Sequence, residues 1–129
     1  MQRILFIVSV IVSIACCVLL ALNIWVGRDV RENIQLAELQ HPGTAEDALI
    51  SFLLDTSQSS SDRTHIAVWT LGRIRSEKAL PVLYELYKND PEGKTCLGHH
   101  DLQICQYEIY KAIQTIENRQ LFSHQRFRK

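Results

Sequence analysis

From Ile4 to Val26 the chain reads ILFIVSVIVSIACCVLLALNIWV, twenty-three residues without a charge. As a helix this run spans roughly 34 Å, against a bilayer hydrocarbon core of about 30 Å. Arg3 lies on one side of it; Arg28, Asp29, Arg31 and Glu32 lie on the other. Trp25 falls where an interfacial aromatic anchors a spanning helix. A cleaved signal has a shorter apolar core and a small-x-small site before the cut. Ser13-Ile14-Ala15 could serve as that site, but apolar sequence continues well past it. A lipoprotein signal would need a leucine three residues before Cys16, where Ser13 stands, and polar sequence after the cysteine. The run therefore reads as a retained anchor, with the bilayer engaged by residues 4–26. Ser9, Ser13, Cys17 and Ala21 recur every four residues and put small side chains in one stripe. Such stripes let membrane helices approach closely, so homo-oligomers through this helix are an expectation. Flanking charge does not settle the orientation. A short N-terminal tail before an uncleaved signal stays in the cytoplasm, which puts the bulk of the chain outside.

The chain of 129 residues has room for one domain beyond that segment. Net charge is zero, but residues 1–60 carry 3 basic against 6 acidic side chains, and residues 61–129 carry 11 against 8. Arg126, Arg128 and Lys129 make up much of the basic excess. There is no clustered basic stripe of the kind that binds nucleic acid, and none is expected as a partner.

Past Gly27, apolar residues return at helical spacing and nowhere alternate as in a strand. Residues 28–43 read as a juxtamembrane helix and turn, stopped by His41-Pro42-Gly43. Thr44 and Asp47 form a near capping box, and Ala45, Ala48, Leu49 and Phe52 then mark one apolar face. The polar stretch TSQSSS (56–61) reads as a loop. Asp62 is placed to cap a helix bearing Ala67, Thr70, Leu71 and Ile74. Ser76 is placed to cap another, with Pro81 in its first turns and Leu80, Leu83, Tyr84, Leu86 and Tyr87 on its buried side. Asp101 is expected to cap a final helix with Ile109, Ala112, Ile113 and Ile116 inward. The expected fold class is all-α, with one N-terminal transmembrane helix (1–27), a helical domain over 44–118 and a basic tail over 119–129.

Within that domain, Leu71-Gly72-Arg73-Ile74 followed by Ala79-Leu80-Pro81-Val82-Leu83 resembles one unit of a HEAT repeat of the short bacterial type. Ala48–Leu53 resembles a preceding second helix, offset by 31 residues. Ile109 to Ile116 resembles a following first helix, offset by 42. The arginine usual in the family's first helix is absent, and the segments at 56–61 and 91–100 stretch the spacing. The resemblance implies a short solenoid of helical hairpins in which each unit buries its face against the next. It also implies an interaction or scaffold protein rather than an enzyme, binding a protein partner as an accessory or assembly subunit. It further implies a bacterial source, which together with the anchor and its orientation gives a bacterial inner-membrane location with a periplasmic C-terminal domain. Trp69, Tyr84, Tyr87 and Tyr107 are candidates for recognition, each also compatible with a place in the core.

The segment TCLGHHDLQIC, Thr95 to Cys105, concentrates the remaining chemistry. Cys96, His99, His100 and Cys105 offer four ligand types suited to zinc, but in no familiar spacing, and adjacent histidines seldom face one ion. A Cys96–Cys105 disulfide would stabilise the fold by about 2–3 kcal/mol through the unfolded state, given an oxidising compartment. Reduced thiols remain the third reading. A metal- or redox-responsive module built on these four residues is the alternative to the scaffold reading. Cys96 stands near His99 and His100, but the sequence offers no oxyanion donor, phosphate loop or paired carboxylates, and no catalytic residues or cofactor are assigned.

Overall fold

The computed structural model describes residues 1–96 and 102–125 and is all-helical, with no strand among them. It divides into two compact units, Met1–Arg31 and Glu32–Lys129. The first consists of most of α1 (Gln2–Gln40). None of its large apolar side chains from Ile4 to Trp25 is buried; Ile11 is 60% exposed and Leu19 59%. This helix is long and apolar enough to cross a membrane. Its polar side chains turn back on their own backbone. Asn23 Nδ2 donates to the Leu19 carbonyl at 2.8 Å and Arg31 Nε to that of Gly27 at 3.2 Å.

The second unit is built around a core of Leu49, Phe52, Leu53, Val68, Leu71, Leu83, Ile109 and Ile116 with small residues between them. The last turns of α1 belong to it. Ala37 is fully buried, Ile34 packs on the core, and Asn33 Nδ2 donates to Thr70 Oγ1 at 3.0 Å. After the His41-Pro42-Gly43 break, α2 (Ala45–Leu54) starts at the expected cap. Thr44 Oγ1 accepts from Asp47 N–H at 3.3 Å and donates to Asp47 Oδ2 at 2.7 Å. Ser57 and Gln58 then hold the end of α2 in a turn. Asp55 accepts hydrogen bonds from the Ser57 hydroxyl and amide and from Gln58. These bonds, Ser57's foremost, bring its carboxyl down to about 2.

The next helical run extends without interruption from Ser60 to Ile74, as α3 (Ser60–Asp62), a π-helical turn (Arg63–Val68) and α4 (Trp69–Ile74). Its cap is Ser59 rather than Asp62. The Ser59 hydroxyl accepts from Asp62 N–H at 3.0 Å and donates to the Asp62 carboxylate at 2.7 Å, so Asp62 is the reciprocal member of the box. The run ends with Arg75 in the left-handed region (φ 55°), Ser76 N–H reaching the Leu71 carbonyl and Arg75 N–H that of Gly72. Ser76 does not cap the next element as the sequence suggested: its hydroxyl makes no cap bond and is buried. A 3₁₀ turn (Glu77–Ala79) leads into α5 (Leu80–Leu86), with Pro81 in the first turn. Tyr84, expected inward, is half exposed because its hydroxyl is drawn to Glu117 of α6 (Gln106–Gln125). The cap expected at Asp101 lies outside the described residues, and α6 begins at Gln106.

Two close approaches fix the packing. A Cβ placed on Gly72 would lie 3.1 Å from both Cα and Cβ of Ala112, so α4 and α6 touch backbone to backbone there. The glycine thus serves the contact with α6, not one with the adjacent α5. Thr64 meets Cys105 and Gly72 meets Ala112, so the Ser60–Ile74 run and α6 point the same way. Tyr84 meets Glu117 while Leu86 and Lys88 meet Gln106, so α5 and α6 are antiparallel.

Candidate functional site

The two cysteines of the 95–105 segment come together, both buried and both free thiols. Cys96 ends a 3₁₀ turn (Lys94–Cys96) entered from Gly93, whose φ of +66° favours glycine. A side chain at Gly93 would also be 2.7 Å from Tyr107 Cβ and 3.0 Å from Cys96 Sγ. Cys96 Sγ donates to the Gly93 carbonyl at 3.1 Å. Its hydrogen is thereby committed, so the hydrogen bond between the two thiols has Cys105 as donor.

Cys105 sits one residue before α6, and the first amides of that helix, from Tyr107 and Glu108, face its sulfur. Helix N-terminal amides favour a thiolate. Burial opposes them most strongly and the hydrogen bond with Cys96 adds to it, so the net effect pushes the Cys105 thiol up. The backbone here is pinned on both sides. Cys105 N–H donates to Thr64 Oγ1 at 3.2 Å, and that hydroxyl donates onward to the Ser60 carbonyl at 2.8 Å. Buried Gln106 clamps the end of α5: its Oε1 accepts from Lys88 N–H at 2.6 Å and its Nε2 donates to the Leu86 carbonyl at 3.2 Å. Thr64, Gly93 and Gln106 were not singled out from the sequence. The two nearby cysteines, and a glycine three residues before the first, were the local signals of this knot.

Cys105 also forms part of the wall of a cleft of about 240 Å³, bordered by Ser61, Thr64, His65 and Glu108. His99 and His100 lie outside the described residues. Among the described residues no group of three or more His, Cys, Asp or Glu is placed to hold a metal.

None of the four candidate recognition aromatics is a buried core residue. Tyr84 and Tyr107 are exposed; Trp69 and Tyr87 are half-buried. Each already has an intramolecular neighbour. Arg73 lies over Trp69 at 5.2 Å, Lys111 over Tyr107 at 4.5 Å, Tyr110 stacks on Tyr87, and Tyr84 bonds Glu117. Trp69, Arg73 and Lys111 line a second cleft, of about 200 Å³, along the α4–α6 contact.

No family model, curated protein or solved structure matches the chain.

Proposed function

We propose that this chain is a single-pass membrane protein whose HEAT-like helical domain, held outside the cytoplasm of a bacterial cell, binds a protein partner as an accessory or assembly subunit. The reading is carried by the same-direction contact of the Ser60–Ile74 run with α6. Thr64 pairs with Cys105 and Gly72 with Ala112, offsets of 41 and 40 residues. First helices of successive repeats in a helical-hairpin solenoid stack in this way, with a period of about 40–47 residues. The last turns of α1 and α2 supply an earlier helix pair on the same core. Exposed Tyr107 and the cleft lined by Trp69, Arg73 and Lys111 offer the protein partner a surface. The exposed apolar surface of α1 between Ile4 and Trp25 supports the anchor, since water does not tolerate so much continuous apolar area.

A photo-crosslinking residue in place of Tyr107 or Arg73, in the full chain in its native membrane, tests the partner reading. One discrete protein adduct is expected from these positions and none from exposed Ser57, in the turn after α2. Equal, diffuse adducts from all three would contradict it. An impermeant maleimide on Glu92→Cys in intact cells tests orientation separately, with labelling expected before lysis.

A further inference from the structure

The thiol pair goes beyond a scaffold reading, because its geometry distinguishes the two sulfurs. We propose that Cys96 and Cys105 are a disulfide site loaded from outside through Cys105, with Cys96 as the resolving thiol and a disulfide-bearing donor as the oxidant. Cys105 borders the Ser61–Thr64–His65–Glu108 cleft, and the α6 amides of Tyr107 and Glu108 face its sulfur. Cys96 is screened behind it, tied to the Gly93 carbonyl and packed beside Tyr107, at 3% exposure against 7% for Cys105. Among the described residues, the only carboxylate and imidazole lining the cleft are those of Glu108 and His65, and the Glu108 carboxylate is held by Lys111 at 2.7 Å. Solvent entering the cleft takes the proton from Cys105.

The exchange balances in two steps. Cys105 loses its proton and its thiolate attacks one sulfur of the donor. This forms a Cys105–donor mixed disulfide and expels a donor thiolate, which takes up a proton. Cys96, its own proton lost to solvent, then attacks Cys105 Sγ. The Cys96–Cys105 bond forms as the second donor thiolate leaves. Two protein thiols are oxidised and one donor disulfide is reduced to two thiols. The raised Cys105 thiol makes the first step slow at neutral pH and faster as pH rises. The closed bond ties the 3₁₀ turn at Lys94–Cys96 to the start of α6, next to the Gln106 clamp on α5. The chemistry needs only the folded domain; its occurrence in the cell rests on the proposed placement outside the cytoplasm.

The test uses the reduced full chain in detergent, with Cys16 and Cys17 replaced by alanine, exposed to glutathione disulfide. Aliquots are acid-quenched, alkylated and mapped by mass spectrometry. The expected end product is the intramolecular Cys96–Cys105 linkage. Early aliquots should show glutathione on Cys105, and Cys96→Ser should accumulate that adduct. Adduct on Cys96 in Cys105→Ser should form at least about tenfold more slowly. Absence of the 96–105 linkage overturns the proposal. So does glutathione appearing on Cys96 first in the protein that retains both cysteines, a readout that needs neither serine variant to fold. Because the protein is purified, the outcome is independent of membrane orientation. A linkage formed here but absent in cells would count against the cellular placement alone.

Discussion

The two units of this chain use the same apolar residue types in opposite ways. In Met1–Arg31 the leucines, isoleucines and valines between Ile4 and Trp25 are exposed all round the helix. In Glu32–Lys129, Leu49, Leu71, Leu83, Ile109 and Ile116 are fully enclosed, and charged side chains occupy the surface. A helix apolar all round needs a nonpolar solvent, whereas an amphipathic one makes its own by packing on a neighbour. The comparison teaches that periodicity, not hydrophobic content, distinguishes the two environments. It also assigns each unit a different kind of vulnerability.

Leu71→Ala should have the largest effect, costing the second unit about 2–5 kcal/mol because Leu71 is fully buried. Thermal unfolding followed by circular dichroism measures it, and membrane retention of the chain should not change. The reciprocal change, Ile14→Arg, adds about 2.5–3.5 kcal/mol to the cost of placing that helix in a bilayer. It should lower the membrane-retained fraction and leave the melting of the second unit in detergent unchanged. If either variant produced both effects, the division into two environments would fail. Gly72→Ala sharpens the picture inside the second unit. Its new Cβ meets Ala112 backbone and side chain at 3.1 Å, and overpacking there should cost about 1–3 kcal/mol in denaturant titrations.

Acid tests the turn after α2. The Asp55 carboxyl lies at about 2 in the folded chain against an ordinary 3.8. A depressed folded value means the contribution is present above 3.8 and is lost as pH falls toward about 2. Asp55→Asn should flatten that part of the stability-versus-pH curve, measured by melting at stepped pH. The smallest expected change is a gain. Arg75 holds a left-handed conformation (φ 55°), and Arg75→Gly should raise stability by up to about 1 kcal/mol.

Much of this was legible because the signals were periodic or local. The apolar faces at 45–52 and 109–116 and the Thr44–Asp47 box needed only spacing and cap chemistry. Misreadings came where two similar groups competed for one role. Ser59 and Asp62 can each cap, and the serine takes the position because Asp62 is three residues into the run, where it answers the cap. Tyr84 falls on the inward stripe of α5 by spacing, but its hydroxyl finds Glu117 thirty-three residues away, a partner no local pattern reveals. The knot around Cys105 is legible only in part for the same reason. Two nearby cysteines suggest a pair, but Thr64 and Gln106 join it through long-range hydrogen bonds. At Gly72 the close approach is to Ala112 of α6, forty residues on, and again no local pattern names that partner.

The most direct test of the two-environment account is alkaline carbonate extraction of membranes from cells expressing the full chain, with the mass of the recovered protein determined. The account predicts that the chain stays in the membrane pellet with residues 4–26 still attached. Release into the supernatant, or a recovered chain beginning at Cys16, would contradict it.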